Sequence, residues 1–120
     1  MDHKTDLQSL KDQVKKFCDD RDWDKHHDAK ELAIAISTEA NELLTHFRFL
    51  KEAEIEDMFN DPIKREAITD EMADVLFPLL RLAQVYDIDL ATEFQRKFKK
   101  NELNYPLEKS KGSKKHHSEL

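Results

Sequence analysis

Four carboxylates are the residues of this 120-residue sequence most suited to chemistry. Glu39 and Glu42 lie within "AIAISTEANELLTHF" (33–47), and Glu71 and Asp74 within "DEMADVLFPLL" (70–80). Residues three apart share one face of a helix, with Cβ atoms roughly 5–6 Å from one another. Glu39 continues the apolar stripe Leu32, Ala35, Ile36, Leu43, and Glu42 lies beside it. Glu71 and Asp74 flank a second stripe, Ile68, Met72, Val75, Leu76, Leu79. Two such helices packed antiparallel would bring all four carboxylates together. Like charges repel, and burial makes the repulsion worse. No Lys or Arg stands within a helical turn of any of the four, so intrahelical ion pairs do not offset it. A divalent cation would. Oxygen donors alone point to Mg²⁺, with Mn²⁺ as the alternative; His46 is the one softer ligand nearby. A di-iron site would need Glu-x-x-His, which neither pair supplies. The competing reading is two solvated acidic pairs, common on helix surfaces.

The surrounding sequence predicts helices. It contains one Gly and three Pro, and 38% of its residues are charged. That composition favours an all-α fold whose helices each keep a wet face. Apolar spacing predicts a first helix over 4–20, and "DDRDWDKHHD" a loop holding Trp23. Asp28 is placed to cap a second helix over 29–52. "EAEIEDMFND" is a short helix or a connector. Asp61-Pro62 starts a third long helix over 62–86, and Asp89 a last one over 90–103. Tyr105 precedes Pro106, which ends it. The polar residues 108–120 are expected to be disordered, leaving one helical domain over 1–107. Pro78 predicts a bend or widened turn at the carbonyl of Asp74, four residues back. The architecture expected is an antiparallel four-helix bundle. "LAIAI" and "VLFPLLRLAQVY", the latter with one charge in twelve residues, are too apolar for outer helices of a small monomer. A homo-oligomer would cover them.

The net charge of −6 argues against nucleic-acid binding. The longest apolar run, "VLFPLL", is too short to span a bilayer. A lone Cys18 and the absence of a signal-like N-terminus suit a cytoplasmic protein.

The Glu-x-x-Glu and Glu-x-x-Asp motifs, with 28 residues between Glu42 and Glu71, resemble those of the MazG-like all-α nucleoside triphosphate pyrophosphohydrolases. The likeness extends over about 14–112 and is strongest to the small dCTP pyrophosphatase branch. "RDWDKHHDAKEL" resembles that branch's Arg-Asp-Trp loop and following His; "KFKKNELNYP" resembles its Lys-x-x-x-Asn-x-x-x-Tyr-Pro element. The resemblance implies cleavage of a nucleoside triphosphate such as dCTP or dATP to monophosphate and pyrophosphate, in nucleotide-pool house-cleaning. It implies Mg²⁺ on Glu39, Glu42, Glu71 and Asp74, with Glu39 or Glu42 activating water, in a homotetramer with sites between subunits. It places the base near Trp23, His27 and Phe49, with Phe47 alternatively a core aromatic. Lys97, Asn101 and Tyr105 would meet the phosphates. They recur every four residues and so share a face that offers a cation, an amide and a phenol. Three positions depart from the pattern: Glu31 replaces Asn, Pro78 replaces a Tyr beside the sugar, and Asn104 replaces a basic residue.

Other readings stay open at this level. "HHD" at 26–28 resembles the His-Asp phosphohydrolases, which need further His and Asp ligands on separate helices. A non-enzymatic helical module could present an acidic face to a basic partner. A phosphoribosyl-ATP or dUTP pyrophosphatase is the nearest enzymatic alternative.

Overall fold

The computed structural model describes residues 1–120, and every regular element in it is helical. The long elements are α1 (Leu7–Asp20), α2 (Ala29–Thr45), α3 (Glu52–Asn60), α4 (Pro62–Val85) and α5 (Leu90–Asn104), followed by the short α6 (Leu107–Ser110). Single 3₁₀ turns occupy Asp24–His26 and His117–Glu119. The chain divides into two compact units, Met1–Asp87 and Ile88–Leu120.

Side-chain caps set the helix starts. Asp6, Asp28, Asp61 and Asp89 each accept a backbone N–H from the first turn that follows. Each satisfies a donor that the helix cannot pair internally. Asp61 serves both Ile63 and Lys64, with Pro62 at the first helical position. The second helix stops at Thr45, short of the expected residue 52. Residues 46–49 form a turn closed by Phe49 at φ 70°, and α3 restarts at Glu52. No glycine or proline marks that left-handed position in the sequence. Asp87, at φ 53°, makes the corresponding turn after α4.

Helix α4 is the centre of the first unit and packs against α1, α2 and α3. The Tyr86 hydroxyl, just after α4, accepts the N–H of Ala29 at the start of α2, at 2.8 Å. Residues near the opposite ends, Glu42 and Glu71, also meet. The two helices are therefore antiparallel. Helix α4 continues through Pro78, whose ring is buried; lacking an N–H, it leaves the Asp74 carbonyl without its usual helical donor.

The core of this unit is small: Val14, Cys18, Leu32, Ile68, Leu80 and Ala83. Met72, Leu76 and Leu79 on α4 and Ile34 and Leu44 on α2 stay exposed. In the second unit, α6 and the final 3₁₀ turn fall in the stretch expected to be disordered. Each is about one turn long and locally bonded, as in the Ser118 N–H donated to His116 Nδ1. Isolated turns of that length are marginal in water.

Ile68 is fully enclosed where α4 packs. Ile68→Ala is expected to lower stability by about 2–5 kcal/mol, and Asp61→Ala by about 1 kcal/mol through the lost cap. Urea unfolding of each variant checks both values. Equal losses would mean that the small core is not what holds this unit.

Candidate functional site

Antiparallel packing of α2 on α4 sets the acidic pairs against each other. One carboxylate oxygen from each of Glu39, Glu42 and Glu71 lies within 4.8 Å of the others. Glu39 and Glu71 are half-buried, whereas Glu42 is exposed. Asp74 is exposed as well and lies outside this three-oxygen group. It borders the same recess as Glu39 and its charge still acts there. The four residues are thus neighbours, three of them in closest convergence.

Two oxygens of these side chains, Glu39 Oε2 and Glu71 Oε2, are buried without a hydrogen-bond partner. A buried carboxylate oxygen left unpaired is costly, and native structures tolerate few of them. Glu39 responds by holding its proton. Burial, then a proton shared with Glu42, then the charges of Glu42, Asp74 and Glu71 push its carboxyl from 4.5 up to about 7. The donor set is all oxygen, anionic and short of cations. It fits a hard divalent ion, with the two orphaned oxygens as the atoms in need of one.

Beside the carboxylates lies a recess of about 160 Å³ bounded by His27, Leu32, Ala35, Glu39, Asp74, Phe77 and Pro78. Aromatic rings continue from it. Trp23 meets His27 edge-on at 6.1 Å and Phe17 at 5.5 Å, and Phe17 meets Phe77 at 5.7 Å. This packing accounts for an indole in a polar loop, while 39% of Trp23 stays open.

Arg81 holds that loop to α4 and was not among the residues singled out from sequence. Its side chain is 1% exposed, and every guanidinium nitrogen is used. Nε donates to His27 Nδ1 at 2.9 Å, one terminal nitrogen to Asp24 Oδ1 at 3.0 Å, and the other to Gln84 Oε1. The available signal was its position as the one charge in "VLFPLLRLAQVY". A buried guanidinium needs acceptors, and the Asp-rich loop before α2 supplies them. The same contacts account for "HHD": His27 faces Arg81 and Asp28 caps α2 by accepting from Glu31.

The remaining candidates are carried by other segments of the chain. Phe49 is 93% exposed, under the Arg48 guanidinium at 5.3 Å, and belongs to no ring group with Trp23 or His27. Phe47 stacks on Phe59 at 5.9 Å, as a packing aromatic does. Lys97 and Asn101 are carried by α5 in the second unit, with Tyr105 as its C-cap. The Tyr105 ring meets His117 edge-on at 5.6 Å.

The model of the MazG-like family matches residues 34–120. The chain is 33% identical over 97 residues to dCTP pyrophosphatase 1 of Rattus norvegicus, an alignment covering 81% of this chain and 57% of that protein. It is 30% identical over 104 residues to dCTP pyrophosphatase 1 of Homo sapiens, covering 87% and 61%. The chain therefore spans about three fifths of the length of these curated relatives. A crystal structure of a pyrophosphatase from Archaeoglobus fulgidus superposes with a TM-score of 0.77 at 36% identity, over 83% of this chain and 92% of that one.

The pH response of the site has a defined sign. The folded chain binds the Glu39 proton more tightly than a free glutamate does. That contribution to stability is fully present below about 4.5 and is lost as pH rises through about 7. In cation-free buffer, the wild-type urea midpoint is expected to fall more between about pH 5 and about pH 8 than that of Glu39→Gln. Parallel pH profiles for the two proteins would show that Glu39 ionises as a free carboxyl does.

Proposed function

The chain belongs to the MazG-like family, and on that premise we propose that it is a nucleoside triphosphate pyrophosphohydrolase, releasing a nucleoside monophosphate and pyrophosphate. The observation that carries the reading is the convergence of Glu39, Glu42 and Glu71 with two buried, unpartnered oxygens in an acidic, cation-poor seam. The family match, the pyrophosphatases among the relatives, and a recess that joins this seam to His27 support it.

In this reading Glu39, Glu42, Glu71 and Asp74 hold Mg²⁺, or Mn²⁺ in its place. When bound, the ion neutralises phosphate oxygens and polarises the phosphorus under attack. The protein's own groups then have separate tasks. Glu39 or Glu42 orients a water in line with the α-phosphorus and accepts its proton. Water oxygen bonds to the α-phosphorus as the bond from that phosphorus to the bridging oxygen breaks, and pyrophosphate leaves with the bond's electron pair. Lys97, Asn101 and Tyr105 donate to the phosphates. Trp23 and His27 border the nucleoside, with Phe49 a further base contact.

Oligomeric assembly belongs to the same proposal. Exposed Met72, Leu76, Leu79 and Ile34 leave α2 and α4 with apolar surface that a second copy would cover. A homotetramer of helical bundles is the form proposed, and Phe49, open in a single chain, then has neighbours. Nucleotide-pool house-cleaning, with dCTP or dATP among the substrates, is the role that suits this activity.

With Mg²⁺ and a panel of standard and modified nucleoside triphosphates, pyrophosphate rather than phosphate is the expected product. Chelation with EDTA is expected to abolish release. Glu39→Gln and Asp74→Asn are expected to fold and to lose at least ~100-fold in kcat/KM. Release of single phosphates would refute the reaction type. Full activity in the two variants would refute the assignment of the site.

A further inference from the structure

Arg81 makes a contact whose chemistry extends to the proposed substrate. A guanidinium has donors only and stays protonated at any physiological pH. Its Nε–H points at His27 Nδ1 at 2.9 Å. That nitrogen must therefore present a lone pair. A neutral imidazole with a lone pair on Nδ1 carries its proton on Nε2. An imidazolium would set an N–H against an N–H and has no place in this geometry. Nε2 makes no hydrogen bond of its own, and His27 borders the recess next to Glu39 and Asp74.

We propose that Arg81 is a positioning residue that fixes His27 as a neutral imidazole protonated on Nε2, so that His27 serves the recess as an obligate hydrogen-bond donor to an acceptor atom of the bound nucleotide. Only the identity of that ligand rests on the pyrophosphohydrolase reading. The device has a chemical purpose. A histidine free to choose its tautomer could accept as well as donate, and one free to protonate would add a charge within reach of the acidic seam. A fixed Nε2–H does neither, and it discriminates against ligands that lack an acceptor there.

The surroundings agree. The charged groups around His27 are Arg81 on α4 and Asp24 and His26 in its own loop, with Glu39 on α2 and Asp74 on α4 bordering the same recess. Burial first, and then Arg81, hold its pKa below the ordinary 6.5, with Asp24 acting in the opposite sense. Asp24 also takes one of the Arg81 terminal nitrogens and Gln84 the other, which orients the guanidinium so that Nε remains for His27. The ring itself is held edge-on to Trp23.

The test is side-chain ¹⁵N NMR of the full chain, with the His27 signals assigned by their loss in His27→Gln. The expected pattern is an unprotonated Nδ1 and a protonated Nε2, retained as pH falls through about 6.5, where a free imidazole charges. Arg81→Lys keeps a donor and is expected to keep the tautomer. Arg81→Met is expected to give mixed tautomers and a His27 that protonates at higher pH than in the wild type. An Nδ1–H tautomer in the wild type, or no change in Arg81→Met, would overturn the proposal. If Arg81→Met does not fold, the wild-type tautomer and the Arg81→Lys spectrum still decide it. Kinetics supply the second readout. Arg81→Met is expected to raise KM for the preferred nucleoside triphosphate roughly tenfold, the effect of one hydrogen bond, with kcat within about twofold. A lost tautomer with an unchanged KM would overturn the donor role. If the wild type hydrolyses no nucleoside triphosphate, the function assigned above fails, while the NMR measurement still decides whether Arg81 fixes His27.

Discussion

The repulsion among carboxylates held at the α2–α4 seam is the constraint around which the first unit is arranged. Glu39 and Glu71 project from helices whose apolar stripes bring them together, and Glu42 and Asp74 come with them. Hydrophobic packing thus creates the electrostatic problem. Burying more of Leu32, Ile68 and their neighbours brings the acids closer and removes water that would screen them. Burial first, and then the neighbouring carboxylates, raise the Glu39 carboxyl to about 7, and a proton there relieves part of the repulsion. It does nothing for Glu71 Oε2, which is buried and unpartnered too. A divalent cation would answer both at once.

A fully buried cation on the same helix as Glu71 is prevented from serving that purpose. Arg81 lies on α4 but is committed on all three nitrogens to His27, Asp24 and Gln84. The two ends of the recess therefore have distinct characters. One is acidic and in need of positive charge. The other is an aromatic and imidazole surface held in place by a charge that is already satisfied. A nucleotide has matching halves, its phosphates needing a cation and its nucleoside needing ring surfaces and directional hydrogen bonds.

The sequence exposed the acidic end more fully than the other. Glu39, Glu42, Glu71 and Asp74 were legible because helical periodicity is regular and the absence of nearby Lys and Arg can be counted. The starts of α2, α4 and α5 were legible because Asp caps are local chemistry. The end of α2 was not: its turn depends on Phe49 adopting a left-handed backbone with no glycine to announce it. Arg81 was visible as a lone charge in an apolar run, but two of its three partners are 54 and 57 residues away. Periodicity along one helix carries no information about such partners. Trp23 gave a partial signal, an indole in a polar loop, and packing against Phe17 and His27 explains it. Lys97, Asn101 and Tyr105 share a helical spacing, yet spacing cannot say what ligand that face meets.

The most direct test of the central claim is thermal unfolding at about pH 8 with and without Mg²⁺, where Glu39 is ionised and the repulsion is greatest. An ion that binds only the folded chain must raise the melting temperature in proportion to its occupancy. The account predicts a saturable rise for the wild type that is absent or much smaller in Glu39→Gln and Glu71→Gln, both of which should melt above the wild type when no cation is present. A wild-type melting temperature indifferent to Mg²⁺ would contradict it, as would an equal rise in all three proteins.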